Sequence, residues 1–99
     1  MTLDEQSLPE GAELIRRTDE YRSETFPAGF RRDHLIKQGV WGVLRVEEGS
    51  MFYEDKEAGE KRIIEAGQYQ VIKPETVHCA SPLSDNTRCF VEFYEVANK

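Results

Sequence analysis

Two histidines are the residues of this chain that are best suited to chemistry. His34 lies in the stretch FRRDHLIKQG, His78 lies in KPETVHCASPL, and the 99 residues contain no other histidine. An imidazole can bind a metal ion through one nitrogen while a hydrogen bond to the other nitrogen orients the ring. Two histidines and one carboxylate hold Fe(II) with open positions for water, oxygen or substrate, and zinc and manganese also accept this set. The sequence therefore predicts a divalent metal site, with Zn, Fe(II), Mn or Ni as candidate ions, provided that folding brings the rings together.

The alternative for each histidine is a partly buried residue with satisfied hydrogen bonds and no metal. Side chains alternate between the faces of a strand, so a strand through residues 29–37 would place His34 on the same face as Arg32. Pro74 stands four residues before His78. A proline fixes its own φ and donates no ladder hydrogen bond, so it directs the chain that follows at a defined angle. Both histidines are therefore predicted to lie on strands.

Glu92 is the candidate third ligand. It shares a predicted strand face with Phe90 and Tyr94, whereas the opposite face of the same strand carries more apolar residues and is the better candidate for core. That pattern favours a surface position for Glu92. A carboxylate between two aromatic residues is nevertheless costly unless it is paired or ligates a metal. Both interpretations stay open, and Glu92 is included in the predicted metal site.

Two further residues are candidates for ligand binding, while the catalytic residues, if any, stay unassigned. Arg32 shares the predicted face of His34 and would attract a small oxyanion, although a solvated or salt-bridged arginine is the simpler interpretation. Tyr94, like Tyr53 and Tyr69, could line a pocket with its hydroxyl group. The sequence contains no nucleophile elbow, phosphate-binding loop or dinucleotide-binding fingerprint.

Short runs of β-branched and aromatic residues, separated by Gly, Pro, Asp and Asn, must position these side chains. They predict strands near 12–18, 29–37, 40–47, 50–55, 61–66, 68–73, 77–81 and 87–96. Glu48-Gly49 predicts a tight hairpin between the third and fourth strands, and residues 56–60 predict a second hairpin. Residues 18–26 are compatible with one helical turn. The pattern predicts a single all-β domain over 1–99, a sandwich or barrel of about eight short strands such as a double-sheet jelly roll, with 1–11 as a flexible lead-in.

Bulk composition excludes several classes of partner. The net charge of −6 and the pI of about 4.9 argue against a nucleic-acid partner, because an acidic surface repels phosphate. No apolar run approaches the roughly 20 residues that span a bilayer, so no membrane partner is expected. The polar N-terminal stretch does not resemble a signal peptide, which predicts a cytoplasmic protein. In that compartment Cys79 and Cys89 are expected to stay as thiols, and a disulfide across adjacent strands is the minor alternative.

The chain also resembles a known family, the small cupins of the TehB/YeaR-like type. The stretches VEEGSMFYE and EAGQYQVIKPETVH resemble the two cupin motifs, and the resemblance runs from about residue 8 to residue 96. The residues that carry it are Pro27-Ala28-Gly29, Arg32, His34, Glu48-Gly49, Glu65-Ala66-Gly67-Gln68, Pro74-Glu75, His78 and Ser84-Asp85. The resemblance implies a cupin barrel, a homodimer, and a metal held by His34 and His78. Glu92 falls where some members carry an acidic residue and others a hydroxyl.

The departures from the general cupin pattern limit what the resemblance implies. That pattern has a paired His-x-His and a glutamate, whereas here only His34 is present and Trp41-Gly42 stands where the glutamate is expected. Three functions are open: a metal-dependent protein that transforms a small oxyanionic or oxidised compound in tellurite or oxidative stress, a non-catalytic ligand sensor, or a structural dimer. The ligand expected in the first two is a small molecule.

Overall fold

The computed structural model of the chain describes residue 3 and residues 6–96. These residues form an all-β fold with no α-helix in the described part. The strands are β1 (Ala12–Arg17), β2 (Tyr21–Arg22), β3 (Val40–Glu48), β4 (Ser50–Asp55), β5 (Glu60–Glu65), β6 (Tyr69–Ile72), β7 (His78–Pro82) and β8 (Arg88–Val96). No helix among the described residues is long and apolar enough to cross a membrane.

The strands form two antiparallel sheets that do not close into one. The large sheet has the order β1-β8-β3-β6, with β2 also paired to β8, and the small sheet has the order β5-β4-β7. β3 and β8 are the long central strands of the large sheet and pair from Val40↔Glu95 to Glu48↔Arg88. The all-β class predicted from the sequence is confirmed.

The core lies between the two sheets and follows the alternation of side chains along the strands. The large sheet contributes Leu44, Val46, Cys89 and Val91 among its buried residues, and the small sheet contributes Met51, Tyr53, Ile64 and Ala80. Met51 and Ile64 have no exposed surface. The other residues of β3 and β8 face away from the small sheet, so each central strand has an interior face and an outer face.

The strand predicted at 29–37 is wrong for most of its length. A 3₁₀ helix, Ala28–Arg31, follows Pro27, whose φ of −58° and carbonyl oxygen begin the turn. Phe30 leaves an extended path because it packs edge-on against Tyr21 and Phe26, with ring centroids 6.2 and 5.6 Å away. His34 then pairs with the small sheet through an isolated bridge.

The hairpin predicted at Glu48-Gly49 is also wrong, because β3 and β4 belong to different sheets. Gly49 has a φ of +74°, and a Cβ at this position would lie 2.7 Å from the Cα atom of Thr87. Only glycine allows this conformation and this approach of the backbone. Gly49 is therefore a corner at which the chain passes from one sheet to the other, whereas the hairpin over 56–60 is confirmed by the pairing of β4 with β5.

Two other predicted segments agree only in part with the structure or lie partly outside it. Residues 18–26 contain the short strand β2. They also contain the single helical turn that the sequence allowed, in which the Phe26 amide donates to the Arg22 carbonyl at 2.8 Å. In the predicted lead-in, Leu3 is buried in the core and its carbonyl accepts a hydrogen bond from Gln70 Nε2. Residues 1, 2, 4 and 5 of that lead-in lie outside the described residues.

Candidate functional site

His34 and His78 lie directly opposite each other between the 3₁₀ segment and β7. The amide of each donates to the carbonyl of the other at 2.9 Å, which forms an isolated antiparallel bridge. The ring centroids are 4.1 Å apart and the ring planes are inclined by 62°. The fold therefore brings together two side chains that are separated by much of the middle of the chain.

Each ring is oriented by a backbone carbonyl two residues earlier. His78 Nδ1 lies 2.8 Å from the Thr76 oxygen, and His34 Nδ1 lies 3.2 Å from the Arg32 oxygen. A carbonyl oxygen only accepts hydrogen bonds, so Nδ1 carries the proton in both rings. In the neutral tautomer this leaves the lone pair on Nε2, which is the form that binds metal ions.

Burial favours the neutral form of His78. Its residue is 1% exposed, and the loss of hydration lowers the pKa of the imidazole below its ordinary value. The Thr76 carbonyl and the charge of Asp55 act in the opposite direction, while proximity to His34 lowers the pKa further. His78 is therefore held as a neutral electron-pair donor near neutral pH.

Both histidines line a cavity of about 220 Å³ between the two sheets. Its walls are formed by Arg16, Phe26, Phe30, His34, Leu35, Ile36, Leu44, Tyr53, Ile72, His78, Ala80, Val91 and Phe93. Concave sites with mostly apolar walls and a few polar groups are typical of small-molecule binding. This volume suits a compound of a few heavy atoms to about the size of one aromatic ring with a substituent.

Aromatic rings fix both imidazoles from the side. Phe30 stacks on His34 at 4.9 Å with an angle of 15°, and Tyr53 stacks on His78 at 5.6 Å with an angle of 25°. Burial raises the pKa of Tyr53, so its phenol stays protonated at neutral pH. Tyr53 is the member of the three candidate tyrosines that lines the cavity.

Glu92 lies on the other side of the large sheet. Its neighbours Val91 and Phe93 line the cavity, so Glu92 points from the outer face of β8. There its carboxylate accepts hydrogen bonds from Arg45 Nε at 2.6 Å and from the Tyr94 hydroxyl at 3.1 Å. The structure therefore brings together His34 and His78, whereas Glu92, the third predicted ligand, is hydrogen-bonded to Arg45 and Tyr94.

The two predicted ligand-binding residues also lie outside the cavity. Arg32 is exposed and contributes its backbone carbonyl to His34, while the Tyr94 hydroxyl is bonded to Glu92. Among the described residues, no group of three or more His, Cys, Asp or Glu side chains is arranged to hold a metal ion. Any ion at the histidine pair would need further ligands from water or from a bound molecule.

Sequence reasoning missed the residues that make the cavity a ligand-sized space. Phe26 and Phe30 belong to a segment that was predicted partly as helix and partly as strand. Arg16 lines the cavity from β1, and its Cζ atom lies 4.5 Å from the centroid of Phe93. The dense aromatic residues around Pro27 were the available signal for an aromatic cluster, whereas nothing local marked Arg16.

The fold and the site define a class: a small all-β protein with two antiparallel sheets and a histidine pair in a cavity between them. Residues 16–91 match the family model of the TehB-like domain. The chain is 31% identical over 96 residues to the uncharacterized protein YeaR of Escherichia coli (strain K12), which covers 88% of this chain and 81% of YeaR. The chain therefore belongs to the TehB-like domain family.

Solved structures agree with this relationship. The crystal structure of a protein from E. coli (strain K12) superposes with a TM-score of 0.83 at 29% identity and covers 94% of this chain and 99% of that one. TehB from Haemophilus influenzae superposes with a TM-score of 0.80 at 23% identity. That likeness shows the fold alone. It covers 88% of this chain, which spans only 32% of the TehB chain.

Proposed function

We propose that this chain is a small cupin-like protein that binds one divalent metal ion through His34 and His78. The ion would present open coordination positions to a small ligand in the cavity. The observation that supports the proposal is the pair of adjacent imidazoles. In each ring Nδ1 is hydrogen-bonded to a carbonyl, which leaves the lone pair of Nε2 for a metal ion. Zn, Fe(II), Mn and Ni all accept imidazole nitrogen, so the donor set fits the ion without selecting one.

The chain contributes binding, orientation and exclusion of water to this site. The stacked rings of Phe30 and Tyr53 hold the imidazoles, and the apolar walls reduce the local dielectric around a bound ligand. A divalent ion at the pair would supply Lewis-acid stabilisation of a ligand oxygen. The ligand class that we propose is a small oxyanionic or oxidised compound, in tellurite resistance or in the response to oxidative or nitrosative stress.

A non-catalytic ligand-binding or sensing module is the second candidate. It is favoured by the small number of protein ligands, because the described residues offer no third His, Cys, Asp or Glu to complete a metal site. Oxygen consumption by the iron-loaded protein would favour an enzyme, whereas a bound redox-inert ion without turnover would favour the binding module.

A cytoplasmic homodimer is part of the proposal. Leu14 and Ile15 are each 51% exposed on β1, the edge strand of the large sheet. Exposed apolar residues on a strand with an unpaired edge are typical of a surface that a partner covers. Light scattering on the purified protein, with a Leu14→Glu variant as comparison, tests whether a dimer forms through this edge.

Metal analysis of matched variants tests the proposed site. We expect the wild-type protein to bind about one ion per chain. His34→Gln and His78→Gln should bind far less, because each variant leaves the ion a single ligand from the chain. Glu92→Gln is the control, since its carboxylate is bonded to Arg45 on the outer face. Far-UV circular dichroism establishes that each variant is folded.

Two results would contradict the proposal. One is unchanged metal content in both histidine variants. The other is a wild-type protein that takes up no ion from Zn, Fe(II), Mn or Ni solutions under reducing conditions. A loss of metal in Glu92→Gln as large as that in the histidine variants would instead restore Glu92 to the ligand set.

A further inference from the structure

The described lining of the cavity carries a positive charge, whereas the chain as a whole is negative. Of the 13 described residues that line it, Arg16 is the only one with a permanent charge, and no Asp or Glu is among these 13. The chain as a whole carries a net charge of −6. The described walls of the cavity therefore contain none of the acidic side chains that give the chain its negative charge, whereas a cation lies beside the apolar lining.

A bulge in β1 places Arg16 at the cavity. The register of β1 against β8 shifts between Leu14 and Arg16, after which Arg16 pairs with Phe93 and Arg17 pairs with Glu92. Such a bulge changes which side chains face each side of a sheet. Arg16 is thus directed to the interior side with Phe93, whereas Arg17 lies on the outer side, with its Cζ atom 4.0 Å from the Phe90 centroid.

Arg16 differs from Arg45 and Arg88, which are paired with carboxylates on the outer surface. Arg45 pairs with Glu92 at 2.6 Å, and Arg88 pairs with Glu48 at 2.7 Å and with Glu20 at 3.1 Å. Within the described part of the chain, no carboxylate lies within 4.0 Å of the Arg16 guanidinium. The ring of Phe93 fixes this side chain at the rim of the cavity.

A guanidinium without a carboxylate partner beside an apolar cavity is suited to one kind of molecule. Its fork of N–H donors matches a carboxylate in a bidentate arrangement. Phe26, Phe30 and Phe93 offer contact to an apolar body rather than to a hydrated inorganic ion. The cavity volume of about 220 Å³ leaves room for such a body.

We propose that the ligand of this cavity is a small organic carboxylate with an apolar or aromatic body, whose carboxylate binds Arg16 and whose body lies against the phenylalanines. This inference rests on the proposed function, because it takes the histidine cavity as the ligand site. It adds a ligand class and a specificity-determining residue. Arg16 acts by binding the charge of the ligand, and the histidine pair lines the same cavity.

Calorimetric titration with benzoate and with its neutral analogue benzamide tests the proposal. Hexanoate and inorganic phosphate serve as a second apolar carboxylate and as an anion without an apolar body. We expect the wild-type protein to bind benzoate and hexanoate more tightly than benzamide or phosphate. Because Arg16 is exposed and water screens its charge, Arg16→Gln should weaken benzoate binding by about threefold to fivefold, the range for one exposed ion pair. It should leave benzamide binding nearly unchanged.

Arg17→Gln is the matched control. It removes the same charge from the neighbouring position, next to an aromatic ring on the outer face of the sheet. We expect benzoate affinity in Arg17→Gln to stay within about twofold of the wild type, since exposed charges are screened beyond roughly 8–10 Å. Equal losses in the two variants would mean that only net charge matters, and would overturn the proposal.

The titrations are made on chelator-treated protein and on protein loaded with Zn²⁺. Loss of benzoate selectivity in Arg16→Gln together with no uptake of metal by the wild-type protein would contradict the metal site and leave the anion site standing. Normal metal uptake with equal affinities for benzoate and benzamide would do the reverse. No binding of either carboxylate at millimolar concentration, or tighter binding of phosphate than of both carboxylates, would also overturn the proposal.

Discussion

Polar side chains on the two sides of the large sheet differ in whether they have partners within the protein. On the outer face Glu92 is bonded to Arg45 and to Tyr94, so each polar group has a partner within the sheet. The interior face borders the cavity, where Arg16 of β1 has no carboxylate partner among the described residues. The histidines of the same cavity belong to β7 and to the segment that pairs with it, and a carbonyl holds Nδ1 but not Nε2 in each ring. The difference shows that, in this protein, polar atoms without a protein partner indicate the ligand site better than residue type does.

The largest contrast between the faces is expected in stability. Val46 and Val43 lie on the same strand and are 2% and 1% exposed, but Val46 belongs to the core between the sheets and Val43 faces outward. We expect Val46→Ala to lower the free energy of unfolding by about 2.5 kcal/mol, because a packed interior retains the cavity. Val43→Ala should cost about 1 kcal/mol, since the neighbouring side chains that cover Val43 on the outer face can move into the space. Urea denaturation measures both.

Equal losses for the two valines would contradict this contrast. They would indicate that a second layer, such as another copy of the chain, covers the outer face. Repeating the denaturation over a range of protein concentration separates these cases, because a covering partner makes the apparent stability of the wild type depend on concentration.

The second contrast concerns the thiols at alkaline pH. Burial, followed by the charges of Glu20 and Glu47, raises the pKa of Cys89 from 9.0 to about 12. The unfolded thiol ionises first, so the folded state is unaffected below pH 9.0 and loses stability as the pH rises toward about 12. We expect the stability difference between wild type and Cys89→Ala to shrink by on the order of 2 kcal/mol between pH 8.5 and pH 11, from the same linkage relation.

Cys79→Ala is the comparison for the thiol experiment. Cys79 lies on the outward side of β7, and Lys56 opposes the rise in its pKa that burial causes. Its stability difference from wild type should therefore change less with pH than that of Cys89→Ala. A pH-independent difference for Cys89 would show that its thiol ionises as easily in the folded state as in the unfolded one.

The smallest effect is expected from the ion pair on the outer face. The side chains of Arg45 and Glu92 are 41% and 13% exposed, so water screens much of their attraction. A double-mutant cycle with Arg45→Gln and Glu92→Gln should give a coupling of about 0.5–1 kcal/mol that decreases with added salt. Metal content should not change in any variant of the cycle; a change would mean that the two faces are not independent.

Much of the fold follows from local sequence, because strands that are half buried alternate and end at Gly, Asp or Asn. The bounds predicted for β3, β4 and β8 lie within about one residue of those observed. The strand predicted around Phe30 was wrong because contacts of Phe30 with Tyr21 and Phe26, which lie outside the predicted strand, favour a 3₁₀ helix there. Gly49 marked a turn, but the sheet that the chain enters after it depends on long-range pairing.

The site was predictable to the extent that residue type and order determined it. His34 and His78 were identified, and the fold brings them together. The partner of Glu92 depends on the register of β3 against β8, which places Arg45 within reach. The face to which the Arg16 side chain points depends on a bulge in β1, and no residue type in the sequence predicts that bulge. Cross-strand register therefore carries the information that the sequence pattern lacks.

The most direct test of the account is a Zn²⁺ titration followed by ¹⁵N resonances of the histidine rings, which distinguish Nδ1 from Nε2. We predict that the Nε2 resonances of both His34 and His78 shift together and saturate at one ion per chain, while both Nδ1 atoms remain protonated. A shift of only one ring, coordination through Nδ1, or no shift in either ring would contradict joint binding of an ion by this pair.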